Sequence, residues 1–219
     1  MFTKLILKKI NNKSLHFPFV IKNFQKMDLI NKSNYSNKEP LIDVLNDNGL
    51  RTGEKMTRQE IHNLGKVHRA VHLYLFDKEN NLLVQRRSIK TDHYPNLFSI
   101  SLTGHIDAGE SSMQALKREI KEELNLDASL MNLEFLFSFR QDAILNANYI
   151  DKQFNDVYAC WHSFKLNDIK FDSNDISEIK LIPFSEFKSI VEDEKNNEFA
   201  PCYKNECIDV VYFLKSKLT

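Results

Sequence analysis

The chain has little of several features that define whole classes of protein. It has only three cysteines, Cys160, Cys202 and Cys207, and their spacing fits neither a disulfide framework nor a CxxC zinc site, so we expect reduced thiols. Five glycines and five prolines in 219 residues exclude collagen-like and low-complexity chains. The 30 basic residues balance the 30 acidic ones, and no apolar run approaches the roughly 20 residues that cross a bilayer. We therefore expect a cytoplasmic globular protein whose partner is neither a nucleic acid nor a membrane.

The beginning of the chain differs in composition from the rest. Its first 27 residues contain six lysines, and the first acid is Asp28. A basic, acid-poor start is typical of organelle-targeting segments, although these favour arginine, and the alternative is a plain solvated tail. We predict a variable basic extension over residues 1–38 and one domain over residues 39–219, with the oligomeric state left open.

Hydrophobic patterning becomes regular from about residue 40. Residues 41–45 form a short, mainly apolar run that is followed by the turn-like Asn-Asp-Asn-Gly of residues 46–49, and this run predicts one arm of a hairpin. Residues 68–76 alternate and, with 82–86, predict a second hairpin. Further strands are predicted over residues 97–102, 133–140, 156–165 and 179–182, and helices over 57–63, 184–191 and 207–217, besides one beginning near residue 112. Strands interleaved with a few helices predict an α+β fold, a mixed-sheet sandwich.

One predicted helix carries the chemistry. Ser111 followed by Gln114 is a capping-box pattern, which predicts a helix starting near Ser112. Apolar side chains form one stripe along it, at Met113, Leu116, Ile120 and Leu124. Three carboxylates share another face, at Glu119, Glu122 and Glu123. The apolar stripe is therefore expected to pack on the sheet while the carboxylates converge at its rim.

Converging carboxylates favour a bound cation. Two of them about 5 Å apart repel by roughly 3 kcal/mol at an effective dielectric near 20. Oxygen ligands alone select a hard divalent ion, with Mg²⁺ the first expectation and Mn²⁺ the second. Because protein-bound Mg²⁺ commonly takes phosphate oxygens as further ligands, a small diphosphate compound is the expected substrate. Taken alone, the three glutamates also fit a solvated helix face.

The full pattern over residues 104–126 is more specific. It resembles the Nudix box, Gly-x5-Glu-x7-Arg-Glu-U-x-Glu-Glu-x-Gly-U, where U is aliphatic. The matching residues are Gly104, Glu110, Arg118, Glu119, Ile120, Glu122, Glu123 and Leu126. Asn125 stands where the box has glycine, and asparagine is the next-best residue for a left-handed helix end. Residues 43–49, 68–72, 82–88 and 104–105 further resemble the isopentenyl-diphosphate-isomerase-like branch of this superfamily.

The resemblance implies a Nudix-type α/β/α sandwich in which the box forms a loop–helix–loop. It implies hydrolysis of a diphosphate linkage by water, with Mg²⁺ held by Glu119, Glu122 and Glu123. Arg118 would pair with the box carboxylates, Glu110 would brace the loop, and Glu119 would orient or deprotonate the water. Nucleoside, sugar, dinucleotide and isoprenoid conjugates all remain open as substrates. The expected substrate-binding residues are Arg86, Arg87, Lys90, Gly104 and His105, although the basic cluster also fits a solvated hairpin end.

The isomerase branch supplies an alternative activity, proton transfer on an allylic diphosphate. Its resemblance includes three histidines, matched by His62, His68 and His105, and a late acid, matched by Asp156. Two departures count against this activity. Thr103 stands where a cysteine is expected, and Phe154 stands where a second acid is expected. His72 is a candidate core or pocket residue, and Glu178 is a candidate extra base. A catalytically silent Nudix module is a third reading, but it predicts lost box carboxylates, and all are present.

Overall fold

The computed structural model describes residues 39–91 and 93–218, so the predicted extension over residues 1–38 lies outside the described part. The strands are β1 (Leu41–Leu45), β2 (Arg51–Thr57), β3 (His68–Phe76), β4 (Asn81–Arg87), β5 (Phe98–Ser99), β6 (Leu102–His105), β7 (Glu134–Asn146), β8 (Tyr149–Trp161) and β9 (Ile176–Pro183). The α-helices are α1 (Arg58–Asn63), α2 (Ser112–Leu124), α3 (Phe184–Glu192) and α4 (Lys204–Leu218). Within these ranges no helix is long and apolar enough to cross a bilayer.

A mixed sheet forms the centre of the domain. Its path is β5-β4-β3-β8-β7, with β6 paired to β3 and β9 paired to β4. The β3–β8 pair is parallel over its whole length, whereas the other pairs of this sheet are antiparallel. Strands β1 and β2 form a separate hairpin, as the turn at Gly49 predicts. The predicted α+β class with a mixed sheet is confirmed.

The predicted hairpin between β3 and β4 is correct only next to its turn. The two strands pair at Phe76 and Leu82, after which β3 pairs instead with β6, from Leu73–Leu102 to Ala70–His105. With β8 on its other side, β3 has both edges occupied, so β4 diverges from it. Alternation in the sequence cannot distinguish these arrangements, because it reports which face a residue occupies and not which strand lies beside it.

Helices cover both faces of the sheet. On one face α2 packs against β3, where Leu116 and Ile120 join a core that includes Val71, Leu73 and Leu75. On the other face the same strand contributes to a core with α3 and α4, formed by Tyr74, Phe76, Phe187, Val210 and Leu214. The three-layer sandwich expected from the resemblance is therefore present. The last helix begins at Lys204, three residues before its predicted start.

Helix α2 begins as its sequence predicts. The Ser111 hydroxyl accepts a hydrogen bond from the Gln114 backbone N–H, and the Gln114 side chain accepts from the Ser111 N–H. The helix ends at Asn125, which adopts the left-handed conformation with φ 54° and ψ 26°. Both ends of the helix that carries the glutamates are therefore determined by local sequence.

Replacing Ser111 with alanine is expected to lower the free energy of unfolding by about 1 kcal/mol, because an N-terminal amide of α2 loses its acceptor. Chemical denaturation with urea measures the change. The exposed Lys117 of the same helix provides the control, since Lys117→Ala removes no cap and should change stability by less than about 0.5 kcal/mol. Equal effects of the two substitutions would contradict the capping role.

Candidate active site

Gly104 allows α2 to approach the sheet closely. It lies in β6 opposite Val71 of β3, and a Cβ placed on it would lie 2.3 Å from both Cγ and Cδ of Glu119. No side chain can occupy that space without displacing Glu119. Gly104 is therefore required by packing rather than by an unusual backbone angle.

Arg118 connects the loop before α2 with the carboxylates on the helix. Its Nε and one terminal nitrogen donate to the two oxygens of Glu110, at 3.1 and 2.9 Å. The other terminal nitrogen donates to Glu119 at 2.7 Å and to Glu122 at 3.2 Å. The guanidinium also donates to the His105 carbonyl at 3.0 Å. These hydrogen bonds from Arg118 hold the pKa of Glu110 below its usual range. Arg118 thereby orients the predicted carboxylate face.

Two of the three predicted metal ligands are desolvated. Burial raises the pKa of Glu119 to about 7, against the opposing charge of Arg118. Burial also raises the pKa of Glu123 to about 8, and the nearby charge of Glu119 adds to this shift. Glu122, in contrast, is 59% exposed and meets Arg118 at the outer edge of the site. Partly buried carboxylates that disfavour each other's charge are the donor set that a hard divalent cation would stabilise, so these residues fit Mg²⁺.

The predicted basic cluster is divided between two faces of β4. Burial raises the pKa of Glu123, and the charge of Arg87 partly opposes this rise, so its guanidinium lies on the α2 side of the sheet. The Arg87 Nε donates to the His93 carbonyl at 3.0 Å. Arg86 points to the opposite face, where it stacks over Phe98 and pairs with Glu178 at 2.8 Å. The third member, Lys90, donates from Nζ to Asn174 Oδ1 at 2.8 Å. The structure therefore brings only Arg87 towards the carboxylates.

Three histidines meet on the face of the sheet opposite α2. His62 comes from α1, His68 from β3 and His105 from β6, and one ring nitrogen of each lies within 4.8 Å of the others. His62 Nε2 lies 3.1 Å from His105 Nε2. Tyr149 stacks on His62 with a centroid distance of 4.1 Å. The fold thus gathers three residues that are up to 43 positions apart in sequence.

All three imidazoles are neutral at neutral pH. Burial lowers the pKa of His62 to about 3 and that of His68 to about 4, and it holds the pKa of His105 well below the usual value. His68 Nδ1 lies 3.2 Å from the Lys66 carbonyl oxygen, which accepts its proton and leaves Nε2 with a lone pair. Neutral imidazoles are the form that binds transition metals.

The acid that faces these histidines is Asp151. Asp151 Oδ1 lies 3.7 Å from His62 Nδ1 and 3.9 Å from His68 Nε2. Asp156 instead pairs with Arg69 at 2.6 Å and accepts from Ser138 at 3.0 Å. The two acids are five positions apart on β8, so the alternation of the strand directs them to opposite faces. Asp156, the late acid that the isomerase resemblance matched, therefore lies on the other face of the sheet from the histidines.

We refer to His62, His68, His105 and Asp151 together as the histidine centre. Three of its buried polar atoms, His62 Nδ1, His68 Nε2 and Asp151 Oδ1, make no hydrogen bond of normal geometry to any described residue. Burial raises the pKa of Asp151 to about 6. Buried nitrogens and a carboxylate oxygen that face one another without partners fit a divalent cation of the zinc or manganese type.

Sequence reasoning missed two aromatic residues beside this centre. Tyr149 lies at the start of β8, and its hydroxyl lies 3.2 Å from His62 Nε2. His93 lies in the loop after β4, and its ring contacts that of Tyr149 at an angle of 41°, with a centroid distance of 4.8 Å. Neither residue belongs to a motif of fixed spacing. The one sequence signal near Tyr149 is that the polar stretch it begins leads directly into an apolar strand.

The domain is a three-layer sandwich, and its capped helix α2 presents a network of Arg118 and glutamates. This combination of fold and motif is typical of Nudix domains. A profile of the NUDIX domain matches residues 66–205, which is more than half of the chain. The chain belongs to the Nudix family and is a hydrolase-family enzyme. Enzymes of this family act on small-molecule diphosphates and generally use a divalent metal such as Mg²⁺.

Individual relatives agree with both the family and the branch. Nudix hydrolase 3 of Arabidopsis thaliana is 34% identical over 160 residues, which is 71% of this chain but 21% of that protein, so the chain spans about a fifth of this relative. An isopentenyl-diphosphate Delta-isomerase of Serratia proteamaculans is 32% identical over 121 residues, 55% of this chain and 65% of that one. The crystal structure of DR0079 from Deinococcus radiodurans shares the fold, with a TM-score of 0.62, 24% identity and coverage of 78% of this chain and 99% of that one.

Proposed function

We propose that this chain is a Mg²⁺-dependent hydrolase of a small diphosphate compound, a nucleoside or isoprenoid derivative being the substrate class. The observation that carries the proposal is the partial burial of Glu119 and Glu123 next to each other, with Arg118 holding Glu119 in place. Desolvating two like charges costs free energy that a structural role would not repay. A cation and the phosphates that it binds would offset this cost.

The proposed roles follow from the contacts of each residue. Glu119, Glu122 and Glu123 hold Mg²⁺, and the ion when bound supplies charge neutralisation and a lowered pKa for its water. Glu119, braced by Gly104 and Arg118, accepts a hydrogen bond from the attacking water and thereby orients it. Glu110 keeps Arg118 in position through two hydrogen bonds. The chain's contribution to catalysis is mainly positioning and electrostatics.

Arg87 is the first candidate for binding substrate phosphates. Its guanidinium lies close enough to Glu123 to oppose the rise that burial causes in the pKa of that carboxyl, so a phosphate on the proposed cation would come within its reach. At the end of β6, Gly104 faces Glu119, whereas the side chain of its neighbour His105 faces the histidine centre on the other side of the sheet. Arg86 and Lys90, whose partners are Glu178 and Asn174, would need to exchange those partners to take part.

The proposed domain, residues 39–219, includes the β1–β2 hairpin because that hairpin holds the box loop. The Gly109 N–H donates to Asp43 Oδ2 at 2.9 Å, and the Ala108 N–H donates to the Leu41 carbonyl at 2.7 Å. Arg51 pairs with Asp43 at 3.0 Å and donates to the Glu110 carbonyl at 2.8 Å. These contacts hold the loop that carries Glu110. The hairpin therefore supports the site, although it lies before residues 66–205, the range that matches the NUDIX domain.

A substrate screen tests the proposal. The purified chain is incubated with nucleoside, sugar, dinucleotide and isoprenoid diphosphates, with and without Mg²⁺, and inorganic phosphate, monophosphates and double-bond isomers are measured separately. We expect hydrolytic products from at least one class and none without a divalent ion. Mg²⁺-independent turnover, or an absence of hydrolysis across the panel, would contradict the proposal.

The histidine centre favours a second candidate, isomerase-type proton transfer on an allylic diphosphate. It gathers the three histidines that the isomerase resemblance identified, together with an acid. Against this candidate, Thr103 offers no thiol, and the next residue on the same face as Asp151 is the neutral Gln153. An isomer formed without cleavage of any phosphate bond in the same screen would favour this candidate over hydrolysis.

A further inference from the structure

Glu206 is a fully buried carboxylate that the proposed hydrolysis does not use. It lies in the first turn of α4, over the sheet face that carries the histidine centre, and it is 0% exposed. Both of its oxygens lie 2.9 Å from His72 Nδ1. Tyr74 donates to it from the hydroxyl at 2.9 Å, and Asn155 donates from Nδ2 at 2.8 Å. A carboxylate so deeply buried and with so many donors is costly to assemble for packing alone.

A chain of hydrogen bonds connects Glu206 with the histidine centre. Asn155 Nδ2 also donates to Gln141 Oε1, at 3.4 Å. Gln141 therefore presents its amide nitrogen to Asp151, and Nε2 donates to Asp151 Oδ2 at 2.7 Å. The other oxygen, Asp151 Oδ1, is the atom that faces His62 and His68. The negative charge of Glu206 requires a donor from Asn155, and the same nitrogen makes the Gln141 oxygen an acceptor. Gln141 therefore has its own donor available for Asp151.

We propose that Glu206 is a positioning residue for a divalent cation bound at the histidine centre, acting through Asn155 and Gln141 on Asp151. The proposal does not depend on the glutamates of α2 or on hydrolysis. Outer partners that orient metal ligands commonly change metal affinity by about 10- to 100-fold when they are removed. The same carboxylate orients His72, because an acceptor at Nδ1 directs the proton of the ring to that nitrogen.

Replacing Glu206 with glutamine would remove the negative charge that sets the direction of these hydrogen bonds. If the new amide turns its NH₂ towards Asn155, the Asn155 oxygen must accept, and Gln141 must then present its oxygen to Asp151. If it turns its NH₂ towards Tyr74, whose hydroxyl can accept, a carbonyl oxygen still faces Asn155 and His72 Nδ1, but that oxygen is uncharged. In both arrangements the donor of Asn155 is no longer held by an anion, although the size and shape of the side chain are unchanged.

Binding of Co²⁺ tests the proposal without an activity assay. The full chain is titrated with Co²⁺ in excess Mg²⁺, which competes at the carboxylates of α2, and the visible absorption of histidine-bound Co²⁺ is recorded. We expect absorption that His68→Gln abolishes, and an affinity about 10- to 100-fold lower in Glu206→Gln. Wild-type protein without this absorption, or unchanged affinity in Glu206→Gln, would overturn the proposal.

Two further variants separate positioning from stability. Gln141→Met breaks the link to Asp151 but leaves the contacts of Glu206, so it should weaken Co²⁺ binding as Glu206→Gln does, and it carries the test if Glu206→Gln does not fold. Tyr74→Phe removes a donor to Glu206 that is not part of the hydrogen-bond path through Asn155 and Gln141. It should therefore lower thermal stability and leave the Co²⁺ affinity within about twofold of wild type. Equal affinity losses in Tyr74→Phe and Gln141→Met would show that the effect is a general loss of packing and would overturn the proposal. Wild-type affinity in Gln141→Met would overturn it as well.

Discussion

Glu119→Gln is expected to reduce Mg²⁺-dependent hydrolysis at least about a hundredfold, because each tenfold loss corresponds to about 1.4 kcal/mol and the metal contribution to transition-state stabilisation is several kcal/mol. Glutamine keeps the shape of the side chain but removes the charge that would hold the cation. The Arg118–Glu110 pair remains, so the loop and helix should keep their positions. Glu123→Gln should have a similar effect, since Glu123 is the other carboxylate whose pKa burial raises.

Steady-state rates over a range of Mg²⁺ concentrations measure this effect, with circular dichroism as the check on folding. Glu192→Gln on α3 is a matched control, because that glutamate is 62% exposed, pairs only loosely with Lys188 and lies outside the proposed site. It should leave the rate unchanged. Turnover at the wild-type level in both Glu119→Gln and Glu123→Gln would refute the proposed metal ligands.

Gly104→Ala is expected to abolish most of the activity while leaving the fold intact. The added methyl group would lie 2.3 Å from Cγ and Cδ of Glu119, so the Glu119 side chain must move out of its place. That side chain is flexible, and the backbone of Gly104 is in a conformation that alanine adopts readily. A displacement of about 1 Å at a catalytic group can reduce the rate about a hundredfold. We therefore expect a loss of that order in kcat, with a melting temperature close to that of the wild type.

A double-mutant cycle decides whether the effect passes through Glu119. Glu119→Ala by itself removes the displaced side chain, and Gly104→Ala added to it should change the rate by less than about twofold, because the clash no longer exists. Independent, multiplicative losses would mean that Gly104 acts on something other than Glu119, for example the position of β6.

The features that could be predicted from sequence are those encoded by neighbouring residues. Ser111 and Gln114 cap α2, Asn125 ends it, and the fixed spacing from Gly104 to Glu123 identifies the box. Each depends on backbone geometry within a few residues, so the pattern and the local structure are nearly equivalent. The class of fold followed from the same local signals.

The histidine centre shows where such reasoning ended. The sequence predicted a strand over residues 156–165, whereas β8 spans Tyr149–Trp161. Its first inward-facing residues, Asp151, Gln153 and Asn155, are polar and precede the predicted strand, so no sequence pattern connected Asp151 with the histidines. The isomerase resemblance matched Asp156 instead, which pairs with Arg69 on the other face.

The sequence by itself determined the family, the carboxylate helix and the sign of the charge that the helix would bind. Only the tertiary structure decided that β4 diverges from β3, that Arg87 and not Arg86 faces the glutamates, and that Glu206 reaches the histidine centre through Asn155 and Gln141. The physical reason is the range of the interactions. Helix caps and same-face spacing depend on residues a few positions apart, whereas strand neighbours and buried polar contacts join residues that are distant in the chain and meet only when the sheet has formed.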